Sequence, residues 1–194
     1  MMESAALIAL GYLSGSIPFG VLVGRWVRGV DVRTQGSGNI GATNVARVAG
    51  KKLGVAVLAL DALKGALPVL AAMALLPQSP RTHAVVGLAA FLGHVFPVWL
   101  KLKGGKGVAT ALGVLVVLAP WAALAGFAVY AVLFGVWRVS SIGSLAGGIT
   151  AVVVGIATAR HAEYKALVAI IFALMLFTHR GNIARILQRR EKRL

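Results

Sequence analysis

Four polar clusters interrupt an otherwise apolar chain, and their side chains are hydrogen-bond donors and cations with almost no carboxylates. The first is Ser37-Gly38-Asn39-Ile40-Gly41-Ala42-Thr43-Asn44-Val45-Ala46-Arg47. Glycines there let backbone N–H groups turn toward an anion. Thr43 or Asn44 is placed to cap a short helix whose N-terminus favours phosphate. An ordinary Gly/Ser/Asn loop with a helix cap would look the same. In the second cluster, Lys101–Gly107, the cation of Lys106 stands among Gly104, Gly105 and Gly107. Such a loop can wrap an anion, with Lys106 as the point charge that meets it. The spacing G-x-x-x-x-G-K-[ST] is missing, so this is not a Walker A loop. A basic loop that only sets membrane topology would need the charge but not Gly-Gly-Lys-Gly.

The third cluster, Arg138–Ser144, puts Ser141 and Ser144 on one helical face. Capping of a helix by Ser140 or Ser141 explains the same residues. In the fourth, His179-Arg180-Gly181-Asn182-Ile183-Ala184-Arg185, an imidazole able to move a proton near neutrality precedes an amide and a guanidinium. A basic helix at the membrane edge is the competing reading. Together the four sets suit an oxyanion substrate. Asp31 is the one carboxylate near them, so they make a poor metal site, since hard cations need carboxylate oxygens. Neither a metal nor a cofactor is expected.

The elements that must position these residues are apolar helices. Hydrophobic residues make up 59% of the 194 and charged residues 13%. A soluble domain is about 25% charged, so lipid is the natural solvent of this chain. With no cysteine there is no disulfide, zinc finger or thiol nucleophile. Met1, Met2, Glu3 and Ser4 lead straight into apolar sequence, so the first apolar run is read as a retained span and not as a cleaved signal. Seven candidate spans follow from the requirement for about 20 apolar residues: Ser4–Trp26, Leu53–Leu76, Thr82–Leu100, a short one from Gly107 to Ala119, Trp121–Trp137, Ile142–Thr158 and Ala166–Thr178. If the fourth and fifth are one re-entrant pair, the count is five. The expectation is an all-α polytopic protein, residues 1–194 forming a single membrane-embedded domain.

Charge tests this division. With the N-terminus outside, the inside segments hold Arg25, Arg28, Arg33, Arg47, Lys51, Lys52, Lys101, Lys103, Lys106, Arg138 and the six basic residues from Arg180 onward. Only Arg81, Arg160 and Lys165 fall outside, and Lys64 sits within a span. That bias obeys the positive-inside rule with a cytoplasmic C-terminus. The net charge of +15 is therefore a topology signal and needs no nucleic acid. It also puts all four clusters at one membrane face. The tail Gln188–Leu194 reads as a basic end, frayed or resting on anionic lipid. Asp61 and Lys64 are spaced to pair, either as a functional element or as a structural ion pair with Lys64 snorkelling. His94 is read as a helix hydrogen-bond donor, and His83 and His161 as structural. Gly143, Gly147, Gly148 and Gly155 are read as small faces for close helix packing.

The runs SGNIGATNVAR (Ser37–Arg47), GHVFPVWLKLKGGKGVAT (Gly93–Thr110), SIGSL (Ser141–Leu145) and HRGNIARIL (His179–Leu187) resemble the acyl-phosphate:glycerol-3-phosphate acyltransferases of bacterial inner membranes. Gly15–Pro18 and Leu60–Gly65 match as well, so the likeness covers nearly the whole chain. It implies a seven-helix membrane fold with the active site facing the cytoplasm. It implies acyl transfer from acyl phosphate to the sn-1 hydroxyl of glycerol 3-phosphate, giving lysophosphatidic acid and phosphate. It puts Lys106, His179, Asn182, Ser37 and Asn39 on catalytic positions. It puts Thr43, Asn44, Arg47, Gly104, Gly105, Gly107, Ser141 and Ser144 on substrate-binding ones. Ser140 and Ser141 are adjacent, which leaves the first serine of that motif ambiguous, and Leu102 stands where the family commonly has an aromatic residue. The lipid bilayer and a peripheral enzyme that makes acyl phosphate are the implied partners. A membrane transporter for phosphorylated metabolites is the alternative function. It is disfavoured because a permeation path needs polar groups at the midplane.

Overall fold

The computed structural model describes residues 1–194, folded into ten α-helices and one 3₁₀ turn with no strand. Helices satisfy their own backbone polar groups, which is what a hydrocarbon solvent demands. The elements are α1 (Met2–Ser16), α2 (Phe19–Arg28), α3 (Ala42–Ala49), α4 (Lys51–Leu75), α5 (Pro80–Val95), the 3₁₀ turn Val98–Leu100, α6 (Val108–Leu118), α7 (Pro120–Trp137), α8 (Ser140–Thr158), α9 (Ala162–Thr178) and α10 (Arg180–Leu187). Each of the seven apolar runs is helical. Five stretches are long and apolar enough to cross a membrane: Met2–Arg28, Lys51–Leu75, Pro80–Leu100, Pro120–Trp137 and Ser140–Thr158. The pair α9 and α10, bent by 61°, makes a sixth if it counts as one span. At 11 residues, α6 is shorter than such a span.

The chain packs as two compact units, Met1–Val114 and Leu115–Leu194. In the first, α1 lies along α5, and α4 packs on both. Glycines set these approaches. A β-carbon at Gly15 would overlap the carbonyl of Ala90, and one at Gly93 would overlap that of Tyr12. Gly65 of α4 meets the Thr110 carbonyl in the same way, and Gly113 meets that of Ala62. The first apolar run is not one continuous helix. It breaks at Ile17-Pro18, where proline has no N–H to donate. The Ile17 carbonyl at this break accepts the Phe19 N–H at 3.1 Å and the ammonium of Lys64 at 2.7 Å.

Lys64 therefore does not snorkel. It and Asp61 are buried, 2.8 Å apart, and the ammonium also faces the Phe19 ring. His94 is buried beside them with Nδ1 3.7 Å from Asp61. It thus joins an ionic cluster, where a helix hydrogen-bond donor was expected. His83 bonds the Leu76 carbonyl and His161 stands edge-on to Tyr164, both structural contacts.

In the second unit α7 packs on α8, and α8 on α9. Gly126 and Gly147 lie against each other's carbonyls, Gly143 against Tyr130, Gly148 against Phe172 and Gly155 against Val168. All four glycines read as packing faces serve as such. Large apolar side chains such as Leu63, Leu67, Leu70, Val132, Val136, Val153 and Ile156 stand exposed along the long helices. A membrane protein turns such a surface to lipid.

Replacing Gly15 with Val forces a side chain into the Ala90 backbone. We expect a loss of about 1–3 kcal/mol, read as a lowered thermal midpoint in detergent. An unchanged midpoint would contradict the packing described.

Candidate active site

The first cluster is shaped from behind by a small apolar core. Val21, Val32, Ile40, Val45, Ala49 and Val57 pack together and tie α2, α3 and α4 to the segment between them. Arg28 ends α2, and Gly29 takes the left-handed backbone (φ 66°) that closes it. Asp31 then accepts bonds from Arg33 (2.6 Å) and Arg25 (2.7 Å). The Arg33 bonds, with help from Arg25, hold its carboxyl well below the usual range. The Asp31 carboxylate is thus paired with its own neighbours.

Asn44 does not cap α3. The cap position is Gly41, which makes no side-chain cap bond. Asn44 is buried, and its Nδ2 donates to the carbonyls of Val32, Gln35 and Asn39 while its Oδ1 accepts from the Ser37 N–H. One amide therefore holds the whole loop in shape. Asn39 Oδ1 accepts from the Gly41 N–H at 2.8 Å. Ser37 is exposed, while Thr43 and Arg47 are half-buried on α3.

In the second cluster the glycines do something other than expected. The Gly104 and Gly105 N–H groups donate to the Val95 and His94 carbonyls, both 3.1 Å, so they are spent on the end of α5 and not left for an anion. A β-carbon at Gly105 would strike the His94 ring, and one at Gly107 (φ 81°) the Phe91 ring. These residues are glycines because the loop is pressed onto α5. The result is to fix Lys106, half-buried, just ahead of the first turn of α6, where the helix dipole also favours an anion. Lys101 and Leu102 take left-handed backbone at φ 52° and 62°, and Leu102 is exposed.

The structure brings these two clusters together. A cavity of about 490 Å³ is lined by Arg33, Gly38 and Ile40 from one side and by Trp99, Leu100, Lys101, Lys103 and Gly104 from the other. Its charged lining is wholly cationic.

The second unit joins the other two clusters through a residue that sequence reasoning passed over. Val139 is the cap residue of α8, so neither Ser140 nor Ser141 caps it. Ser140 meets the Tyr130 hydroxyl, Ser144 donates to the Ser140 carbonyl, and Ser141 donates to Glu191 Oε1 at 3.0 Å. The same Oε1 accepts from Asn182 Nδ2, and Glu191 Oε2 accepts from Arg185 Nε at 2.6 Å. Burial pushes this carboxyl's pKa up, but the bonds from Arg185, Asn182 and Ser141 outweigh it, and the net shift is downward. The tail is therefore folded back and not frayed, with the Leu194 N–H on the Arg138 carbonyl. A single acid among Arg189, Arg190, Lys192 and Arg193 was the signal available in the sequence. His179 is buried, and its Nδ1 lies 2.9 Å from the Met175 carbonyl. A carbonyl only accepts, so Nδ1 carries a proton.

Apolar outward faces, helices throughout and cation-rich polar loops define an integral membrane protein. The family model for glycerol-3-phosphate acyltransferase matches residues 5–189, and the chain belongs to that family. A glycerol-3-phosphate acyltransferase from Myxococcus xanthus (strain DK1622) is 68% identical over 98% of this chain and 99% of its own. One from Synechococcus elongatus (strain ATCC 33912 / PCC 7942 / FACHB-805) is 40% identical over 100% of this chain and 96% of its own. The crystal structure of PlsY (YgiH), an integral membrane glycerol 3-phosphate acyltransferase, in its glycerol 3-phosphate form, superposes with a TM-score of 0.94. It is 41% identical, over 99% of this chain and 96% of that one. The lysophosphatidic acid form of the same protein gives a TM-score of 0.92.

Asn44→Ala strips the brace from the loop and leaves buried backbone groups unpaired. We expect a loss of about 1–3 kcal/mol, seen as a lower thermal midpoint, together with weaker binding of phosphorylated ligand. For Glu191 the folded pKa is lowered, so its contribution is complete above the ordinary value of 4.5 and is lost as pH falls through the folded value. Hydrogen exchange of residues 188–194, followed downward from neutral pH, should stay slow until that acid range and then accelerate.

Proposed function

We propose that this chain transfers a fatty acyl group from acyl phosphate to the sn-1 hydroxyl of glycerol 3-phosphate, giving lysophosphatidic acid and inorganic phosphate. The observation that carries the reading is the match of family and fold over essentially the whole chain to a protein crystallised in glycerol 3-phosphate and lysophosphatidic acid forms. The chemistry of the loops agrees with it. In this reading the protein sits in the bacterial inner membrane with seven spans. Its N-terminus is outside, and its polar loops and C-terminus face the cytoplasm, as the bias of Lys and Arg supports. Acyl phosphate from a peripheral enzyme is the donor.

An acyl phosphate is already activated, so no covalent intermediate on the protein is needed. The glycerol oxygen attacks the acyl carbonyl carbon, the bond from that carbon to the phosphate oxygen breaks, and phosphate leaves. The protein must hold two anions against their mutual repulsion and align them. Lys106 and Arg47 supply positive charge. Ser37, Asn39 and Thr43 supply donors on a loop that Asn44 braces. Gly104, Gly105 and Gly107 set the position of Lys106. The family motifs also assign Ser141, Ser144, Asn182 and His179, all in the second unit, to substrate binding or catalysis. The hydroxyl proton passes to the leaving phosphate. His179 is oriented by a carbonyl at Nδ1, which stabilises an imidazolium less than a carboxylate would. Its role here is to position phosphate.

Purified protein in detergent, given acyl phosphate and glycerol 3-phosphate, should form lysophosphatidic acid with no sealed compartment present. A transporter would yield nothing under those conditions. Lys106→Ala should lower kcat/KM by about 10²–10³-fold. His179→Gln should keep activity within about tenfold of wild type, and a fall of about 10²–10⁴ would make His179 the general base instead.

A further inference from the structure

Two walls of the cavity in the first unit are tied together from behind by buried charge. On one side the Lys64 ammonium reaches the Ile17 carbonyl at 2.7 Å and faces the Phe19 ring, so it grips the start of α2. Gly20, the next residue, lies against the Ile40 carbonyl, and Val21 shares a core with Ile40 and Val45. On the other side His94 carries the Lys106 loop. Its carbonyl accepts the Gly105 N–H, and its ring lies against Gly105. Asp61 joins the two sides, because one oxygen, Oδ1, lies 2.8 Å from Lys64 Nζ and 3.7 Å from His94 Nδ1. Ile40 and Gly104, at the two ends of this chain of contacts, both line the cavity.

We propose that Lys64, Asp61 and His94 set the separation of the two loops, and that Asp61 and His94 are positioning residues that place Lys106 without touching substrate. This role rests on the reaction proposed above, in which Lys106 offsets the charge of two anions. Stability alone gives no reason for such a triad. Well-packed apolar side chains of the same volume are often as stable as a buried ion pair, and buried charge is costly in a membrane. What charge adds is geometry. In a low-dielectric interior an ion pair that is pulled apart loses far more than a slipped apolar contact does. Water does not soften the attraction here, since Asp61 is 2% exposed and Lys64 and His94 3%. The reaction has need of such rigidity. Two phosphates and an acyl carbonyl must be held in line, and a misplacement of about 1 Å can cost about 10²-fold in rate.

The test measures acyl transfer in detergent for wild type, Asp61→Asn and His94→Gln, each with and without Lys106→Ala. His83→Gln, at a second buried histidine of α5, is the control. In Asp61→Asn and His94→Gln kcat should fall about tenfold or more, with KM for glycerol 3-phosphate within about threefold of wild type, and His83→Gln should keep its kcat. Once Lys106 is gone there is nothing left to misplace. In that background the same substitutions should cost less than about twofold, whereas independent structural losses multiply. Multiplying losses, a change confined to KM, an unchanged kcat, or an equal fall in His83→Gln overturns the positioning role. Should Asp61→Asn not fold, His94→Gln, which leaves Asp61 paired with Lys64, carries the comparison. A second measurement needs no turnover. Hydrogen exchange at Gly104 and Gly105 should quicken about threefold or more in Asp61→Asn, or in His94→Gln if only that chain folds, while α7 exchanges as in wild type. Unchanged exchange at the two glycines overturns the link. If wild type itself forms no lysophosphatidic acid, the functional reading falls, and the exchange experiment still decides whether the triad holds the loop.

Discussion

Close approach of one helix backbone to another is the constraint on which the rest of this protein depends. In lipid, apolar side chains gain nothing by leaving the solvent, so helices associate through packing and through polar contacts. Here glycines work in reciprocal pairs. Gly15 and Gly93 join α1 to α5, Gly65 and Gly113 join α4 to α6, and Gly126 and Gly147 join α7 to α8. Each pair puts a carbonyl where a β-carbon would stand. The loops that end these helices take their positions from these contacts.

The same economy governs the loops. Gly104 and Gly105 spend their N–H groups on the end of α5, and Asn44 spends its amide on three carbonyls and one N–H. Asp31 is spent on Arg25 and Arg33. Rigid loops of this kind do little reorganising when an anion arrives, which is where electrostatic stabilisation is most effective.

Much of this was legible in the sequence. Every apolar run is a helix, because a run of that length has no other stable state in hydrocarbon. The packing role of Gly143, Gly147, Gly148 and Gly155 followed from small residues recurring on an apolar helix. What was not legible depended on partners distant along the chain. Nothing local says that Asn44 reaches back to Val32, that Lys64 turns to the Ile17 carbonyl, or that Glu191 leaves a basic tail to meet Ser141, fifty residues earlier. The break at Pro18 could be inferred from proline alone. The use made of the Ile17 carbonyl could not.

The Asp61–Lys64 pair has a bearing on how the protein enters the membrane. Both residues lie midway along α4, where insertion of an isolated Asp or Lys costs about 2.5–3.5 kcal/mol. Placed one turn apart on the same helix, they neutralise each other as soon as that helix forms, before any tertiary neighbour is available. The Ile17 carbonyl that finally receives the ammonium is synthesised earlier than α4. A costly segment thus carries its own counter-ion into the translocon and meets its acceptor on release, so the order of the chain and the order of assembly agree.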